Sequence, residues 1–174
     1  AIELEHKFAS IIRRQEAYGF YFDVDKAADL YSALVKERDV LKDDLIQSFG
    51  EMYLRDGTKV DVPNKTLTYK DPVRADRTAG AALSKVKRVM FNPSSRQHIS
   101  VFLKRKYGWK PEHFTAAGTP MVGERILKEL PFPEAKLFAR LFLLEKRLGQ
   151  LADGKQAWLR TYNRDTGRVH GRVN

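Results

Sequence analysis

Residues 92–97 read Asn-Pro-Ser-Ser-Arg-Gln. The stretch gathers two hydroxyls, a guanidinium and a carboxamide with no acid among them, a set suited to holding an anion rather than to making or breaking bonds. If the stretch opens a helix, with Asn92 as N-cap and Pro93 as the first helical residue, its first-turn amides lack intrahelical acceptors. They then lie at the positive end of the helix dipole. A phosphate group is the ligand that such an end accepts, and the candidate contacts are Asn92, Ser94, Ser95, Arg96 and Gln97. Further along the same predicted helix, Lys104 and Arg105 would share its solvent face. A second cationic face, Lys136, Arg140, Lys146, Arg147 and Gln150, lies opposite a leucine seam and is spaced to follow a sugar-phosphate chain.

Charge is distributed in the same sense. Residues 1–54 hold seven Lys/Arg and eleven Asp/Glu, residues 55–110 hold fourteen and four, and residues 111–174 hold eleven and seven. The middle third therefore carries a surplus of +10, equal to that of the whole chain, and a local field of that sign points to a polyanionic partner.

Other chemistries find little support. Cysteine is absent, which excludes disulfides and thiolate metal sites, and His6, His98, His113 and His170 show no ligand spacing. Asp23 and Asp25 could be imagined to bind a metal but read as a surface acid and a helix cap, respectively. Asn64-Lys65-Thr66 is formally a glycosylation sequon, but no secretory signal accompanies it. No apolar run approaches the roughly 20 residues of a membrane span, so a cytosol-like compartment is expected.

The elements that must position these residues are mainly helical. Leu4, Phe8, Ile11 and Ile12 predict a first helix ending at Tyr18-Gly19, and "FYFDVD" a short extended crossing. Asp25 would cap a long helix lined by Ala27, Leu30, Leu34, Leu41, Leu45 and Phe49 and ended by Gly50. From Arg55 to about Lys87 the helical period is lost. Asp56-Gly57 marks a turn there, and residues 58–62 and 65–70 alternate enough for a small ribbon in a loop-rich excursion. Ile99, Phe102, Leu103 and Tyr107 give the Asn-Pro helix a buried face up to Gly108. Thr119-Pro120 is expected to open a short helix around Ile126, Leu127 and Leu130, and Pro133 to start the last long one. There Leu137, Leu141, Leu144, Leu148 and Leu151 form the seam, widened by Phe138 and Phe142. Gly149 and Gly154 would let another backbone come close. "AWLRTY" and "GRVHGRV" flank residues 163–167 as a β-hairpin.

Three stretches, "LEHKFASIIRRQEAYGFYFDVDKA" (residues 4–27), "FNPSSRQHISVFLKRKYGW" (91–109) and "LLEKRLGQLADGKQAWLRTYNRDTGRVHGRVN" (143–174), taken in this order closely resemble the family A (Pol I-like) DNA polymerases, especially those of podophages. The resemblance covers the chain except about residues 55–80. It implies an antiparallel helical thumb with small tip helices over residues 25–157, bearing a basic loop or β-ribbon insertion at about 55–90. A helix and crossing (1–24) precede it, and a hairpin (158–174) leads into the palm. It further implies that the "NPSSRQ" tip meets the backbone of double-stranded primer-template DNA. Lys146, Arg147 and Gln150 would lie at primer-strand phosphates, and His170 is a further contact near the palm.

The same resemblance puts the metal-binding aspartates and the nucleotide-receiving fingers downstream of residue 174. By this reading the chain alone holds duplex DNA and leaves polymerisation, with its divalent Mg, to the remaining palm and fingers. Some phage relatives bear a larger basic insertion that binds a host processivity factor. The shorter tip here is a candidate for such a partner, though not for the same mode of recruitment. The alternative kept open is a stand-alone basic module that binds structured RNA or a replication partner on a polymerase-like scaffold.

Overall fold

The computed structural model describes residues 2–68, 70 and 76–170, and just over half of them are helical. Among the described residues six α-helices and five strands follow one another, and the chain divides into two units, residues 1–43 with 121–174, and residues 44–120. The mainly α expectation holds, with small antiparallel sheets added.

In the first unit α1 (Ile2–Tyr18) stops where Gly19 takes a left-handed φ of +66° and its amide bonds to the Gln15 carbonyl. The crossing is β1 (Phe20–Tyr21). α2 (Val24–Phe49) then begins, and the side chain that caps it is Asp23 rather than Asp25: Asp23 Oδ1 accepts from the Lys26 amide at 3.0 Å. The capping acid must precede the first helical residue, and Asp25 lies within the first turn. The apolar face is also rotated from the expected one. Ala27 and Leu34 are buried, but Leu30 is 53% exposed, and Tyr31 takes its place against the core. Ala27, Tyr31 and Leu34 lie within about 60° of one another on the helix, and Leu30 falls at the edge of that stripe, about 60° from Ala27 and 100° from Tyr31.

α4 (Glu124–Glu129) starts from Gly123, so Thr119-Pro120 opens no helix. Instead Pro120 pairs with Phe114 in an isolated bridge, closed by a 2.6 Å hydrogen bond between the Thr115 and Thr119 hydroxyls. α5 (Pro133–Leu148) begins on its proline as expected and buries Ala135, Phe138, Leu141, Leu144 and Leu148. Leu137 is 44% exposed and falls outside the seam. The helix widens into a π-turn, Gly149–Asp153, that buries Leu151. Leu144, Leu148 and Leu151 close on Ala27 and Leu34 of α2, which ties the chain's first quarter to its last. Gly154 does permit a close backbone approach, to Gly149 of its own turn: a Cβ on Gly154 would lie 2.5 Å from the Gly149 oxygen.

The C-terminal hairpin is shorter than expected. Residues of "AWLRTY" form a helical turn, α6 (Trp158–Thr161), before β4 (Tyr162–Asn163) pairs with β5 (Arg168–Val169). β1 adds on the other side of β5, giving the order β1-β5-β4. Residues 171–174 of the expected palm strands lie outside the described residues.

In the second unit the end of α2 gives way at Gly50, φ +56°, to β2 (Glu51–Asp61), which pairs with β3 (Leu83–Met90) in a two-stranded antiparallel ribbon. The excursion is thus rooted in a ribbon, and most of it, residues 62–82, lies outside both strands, as the loop-rich expectation had it. Residues 58–62 do not pair with 65–70; β2's partner is more than twenty residues further on, and Asp56-Gly57 falls where the register shifts rather than at the hairpin end. Tyr69 and residues 71–75 of this excursion lie outside the described residues. α3 (Arg96–Tyr107) follows, with Ile99 and Leu103 fully buried and Gly108 as a left-handed C-cap.

Candidate nucleic-acid interface

The tip turn is built by its own polar groups. Asn92 Oδ1 accepts from the Ser94 amide at 3.0 Å, and the Ser95 amide donates to the Asn92 carbonyl at 3.0 Å. Pro93 is buried beneath. Ser95, not Asn92, is the N-cap of α3: its Oγ accepts from the His98 amide at 3.4 Å, and its carbonyl from Ile99 at 3.0 Å. Asn92 is spent on the turn before the helix, which moves the first helical residue from Pro93 to Arg96. His98 braces the turn from behind, its Nδ1 accepting from the Asn92 amide at 3.0 Å. Burial, aided by Lys87, lowers the His98 pKa, so the ring stays neutral and keeps that lone pair available.

Asn92, Arg96 and Gln97 are exposed at this turn, and Ser94 and Ser95 are half-buried. No acid lies in the first turn of α3. Lys104 is exposed on the last turn, seven residues beyond Gln97 and on the same helix face, about 10 Å along the axis. It also sits where a cation stabilises the helix C-terminus, so its charge has a local use as well.

In the other unit α5 carries the second set. Arg140 is held by Glu37 of α2 through two hydrogen bonds, 2.7 and 2.8 Å, which neutralise it and make it the least available of the expected phosphate ligands. Lys146 and Arg147 are exposed in the last turn, and Gln150 is exposed within the π-turn. Their field reaches Glu124, whose carboxyl is held below its ordinary range chiefly by the 2.6 Å bond from Lys128 and further by Lys146 and Arg147. His170 is exposed, and its Nδ1 lies 3.2 Å from the Glu16 carbonyl at the end of α1.

Several cations in and beside the ribbon are paired with acids. Arg88 binds Glu51, Arg77 binds Asp61, and Lys87 lies 3.9 Å from Asp56. The Arg88 and Lys87 pairings depend on the β2–β3 register, which the sequence pattern did not supply, whereas Arg77 lies outside both strands, in an isolated bridge with Leu67. A further basic residue that the site reading passed over is Arg168. Its guanidinium stacks 3.8 Å from the Tyr18 ring centre and donates to the Tyr18 hydroxyl at 2.9 Å, locking β5 to the end of α1.

Among the described residues no group of three His, Asp or Glu side chains could hold a metal ion, and no helix is long and apolar enough to cross a membrane.

A basic, mainly α chain with an acid-poor helix tip matches, over its whole length, phage polymerases that copy DNA. It is 32% identical to the DNA-directed DNA polymerase of Enterobacteria phage T3 and 31% identical to that of Escherichia phage T7, each alignment covering all of this chain. The chain spans about 30% of the length of these relatives. The aligned stretch is 211 residues long against 174 here, so the relatives are longer within it. No family model matches the chain.

Proposed function

We propose that this chain is the duplex-gripping thumb segment, with the palm entrance, of a family A phage DNA polymerase, acting in the host cytoplasm during replication. The observation that carries the reading is the similarity of the whole of this chain to part of two phage DNA polymerases, joined to a tip at Asn92–Gln97 that is hydrogen-bonded within itself, cationic and without acid. Arg96, Lys146 and Arg147 would displace counterions from the phosphate backbone. The Ser94 and Ser95 hydroxyls and the α3 amides would fix the register, and Gln150 and His170 would add neutral contacts. None of these groups reads base edges, so binding is independent of sequence and falls steeply with salt. The palm and fingers of the parent polymerase would supply the Mg-dependent chemistry, and a processivity partner would seat on the β2–β3 arm.

The test is primer-template binding by the Arg96→Ala/Arg147→Ala variant over a salt series. Losing two phosphate contacts lowers the slope of log K against log salt by about 2 and weakens binding about equally for unrelated sequences. An unchanged slope and affinity would sink the assignment.

A further inference from the structure

The end of α2, the start of the ribbon and α3 line an open hollow of about 450 Å3 whose residues all belong to the 44–120 unit. Three aromatic rings form much of its wall. Phe49 lies 4.8 Å from Phe91 and 4.4 Å from Phe102 between ring centres, and Phe91 and Phe102 are 5.9 Å apart. Met52 extends this apolar surface, while Arg105 and Lys106 stand exposed at the rim. Lys106 Nζ is held 5.5 Å from the centre of the Phe102 ring. Arg105 has no hydrogen-bond or ion-pair partner among the described residues. The carboxylate in the lining, Glu51, is neutralised by Arg88 at 2.6 Å.

A ligand matched to this place carries a flat, apolar group directly beside a negative charge, at a size within the roughly 300 to 1,000 Å3 of small-molecule sites. A nucleotide meets that description when its base is unpaired; in a duplex the base is stacked and inaccessible. The surrounding unit holds fourteen Lys/Arg against seven Asp/Glu, which favours a partner charged at every repeat over one with a single acid.

We propose that the cavity takes one nucleotide of single-stranded DNA, with the base against Phe49 and Phe102 and the adjoining phosphate at Arg105. This rests on the nucleic-acid reading above and adds a strand state to it: beside the duplex grip, the unit holds a single strand. Recognition is by stacking and charge, so it tolerates any base.

The experiment compares the 174-residue chain for binding to a labelled oligothymidylate, to the same oligonucleotide with abasic sites, and to a blunt duplex. Ser48 lines the cavity from outside the duplex-binding set, and Ser48→Trp fills it. The expected result is an affinity about tenfold higher for the oligothymidylate than for its abasic counterpart. In S48W that preference disappears while duplex affinity stays the same, and Arg105→Glu weakens the single strand. Photocrosslinks from 5-iododeoxyuridine should map to Phe49 or Phe102. No preference for bases over abasic sites, crosslinks elsewhere, or an acidic phenylalanine-containing peptide binding more tightly than the oligonucleotide would overturn the proposal, even with duplex binding intact. Loss of all DNA binding by the unaltered chain would instead bring down the parent reading, and this one with it.

Discussion

Arg140 of α5 grips Glu37 of α2 in a two-pronged clasp, Nε to Oε1 at 2.7 Å and Nη2 to Oε2 at 2.8 Å, across 103 residues of chain. The bond to Arg140, before any other cause, holds the Glu37 carboxyl below its ordinary value. A carboxyl whose folded pKa is depressed contributes stability above the ordinary glutamate range, and that contribution is lost as the pH falls through the lower folded value. Both side chains are nearly half exposed, so the effect is screened and small. Melting followed from pH 7 to pH 3 should show a shallower acid fall for Glu37→Gln than for the parent chain. Parallel curves for the two would mean that the clasp has no energetic part in joining the helices.

Ser95 separates a structural role from a binding role. Ser95→Ala removes the cap of α3 and should cost about 0.5 to 1 kcal/mol, at the low end for caps because the bond to His98 is a long 3.4 Å. Ser95→Asp keeps a capping oxygen and favours the helix dipole, yet places an anion where a phosphate is expected. Urea unfolding should therefore find S95D at least as stable as the parent chain, while primer-template titration finds it several-fold weaker. Undiminished DNA affinity in S95D would show that the phosphate chain does not pass this turn.

Gly154 and Gly149 have opposite tolerances although they belong to one turn. A Cβ at Gly154 meets the Gly149 oxygen at 2.5 Å, a backbone atom that cannot swing aside, whereas a Cβ at Gly149 meets nothing within 4 Å. Gly149 also has ordinary helical angles, φ −59° and ψ −40°. Gly154→Ala should cost about 1 to 3 kcal/mol, and Gly149→Ala should gain roughly 0.5 to 1 kcal/mol. Differential scanning calorimetry would order the melting temperatures as G149A, parent, G154A; the reverse order would mean that the π-turn is packed differently.

The elements legible in the sequence are those whose information is local. Gly19, Gly50 and Gly108 end helices in left-handed turns, and the α5 seam is repeated often enough for one stray residue, Leu137, not to matter. In α2 a single misplaced leucine hid Tyr31, because a tyrosine counts as apolar only when its hydroxyl has a partner, here Asp153 at 3.1 Å. The β2–β3 pairing was hidden for a different reason: strand register is decided across a gap of more than twenty residues, and neither strand alternates cleanly. The candidate site divides in the same way. Which residues are cationic could be read directly, but which of them face an acid depends on neighbours distant in sequence, as Arg140 with Glu37 and Arg88 with Glu51 show.

The split of the molecule into residues 44–120 and the two stretches around them has a consequence for how it is made. The inner unit is one continuous run, so its ribbon and α3 can form as soon as that run has left the ribosome. β1 and α2 must wait: the strand that pairs with β1 and the leucines that cover α2 come from residues 144–169. Closing so long a loop is slow, and a nascent chain exposes Phe22, Leu34 and the Ala27 side of α2 throughout that interval. In refolding followed by pulsed hydrogen exchange, amides of α3 should gain protection ahead of those in α5.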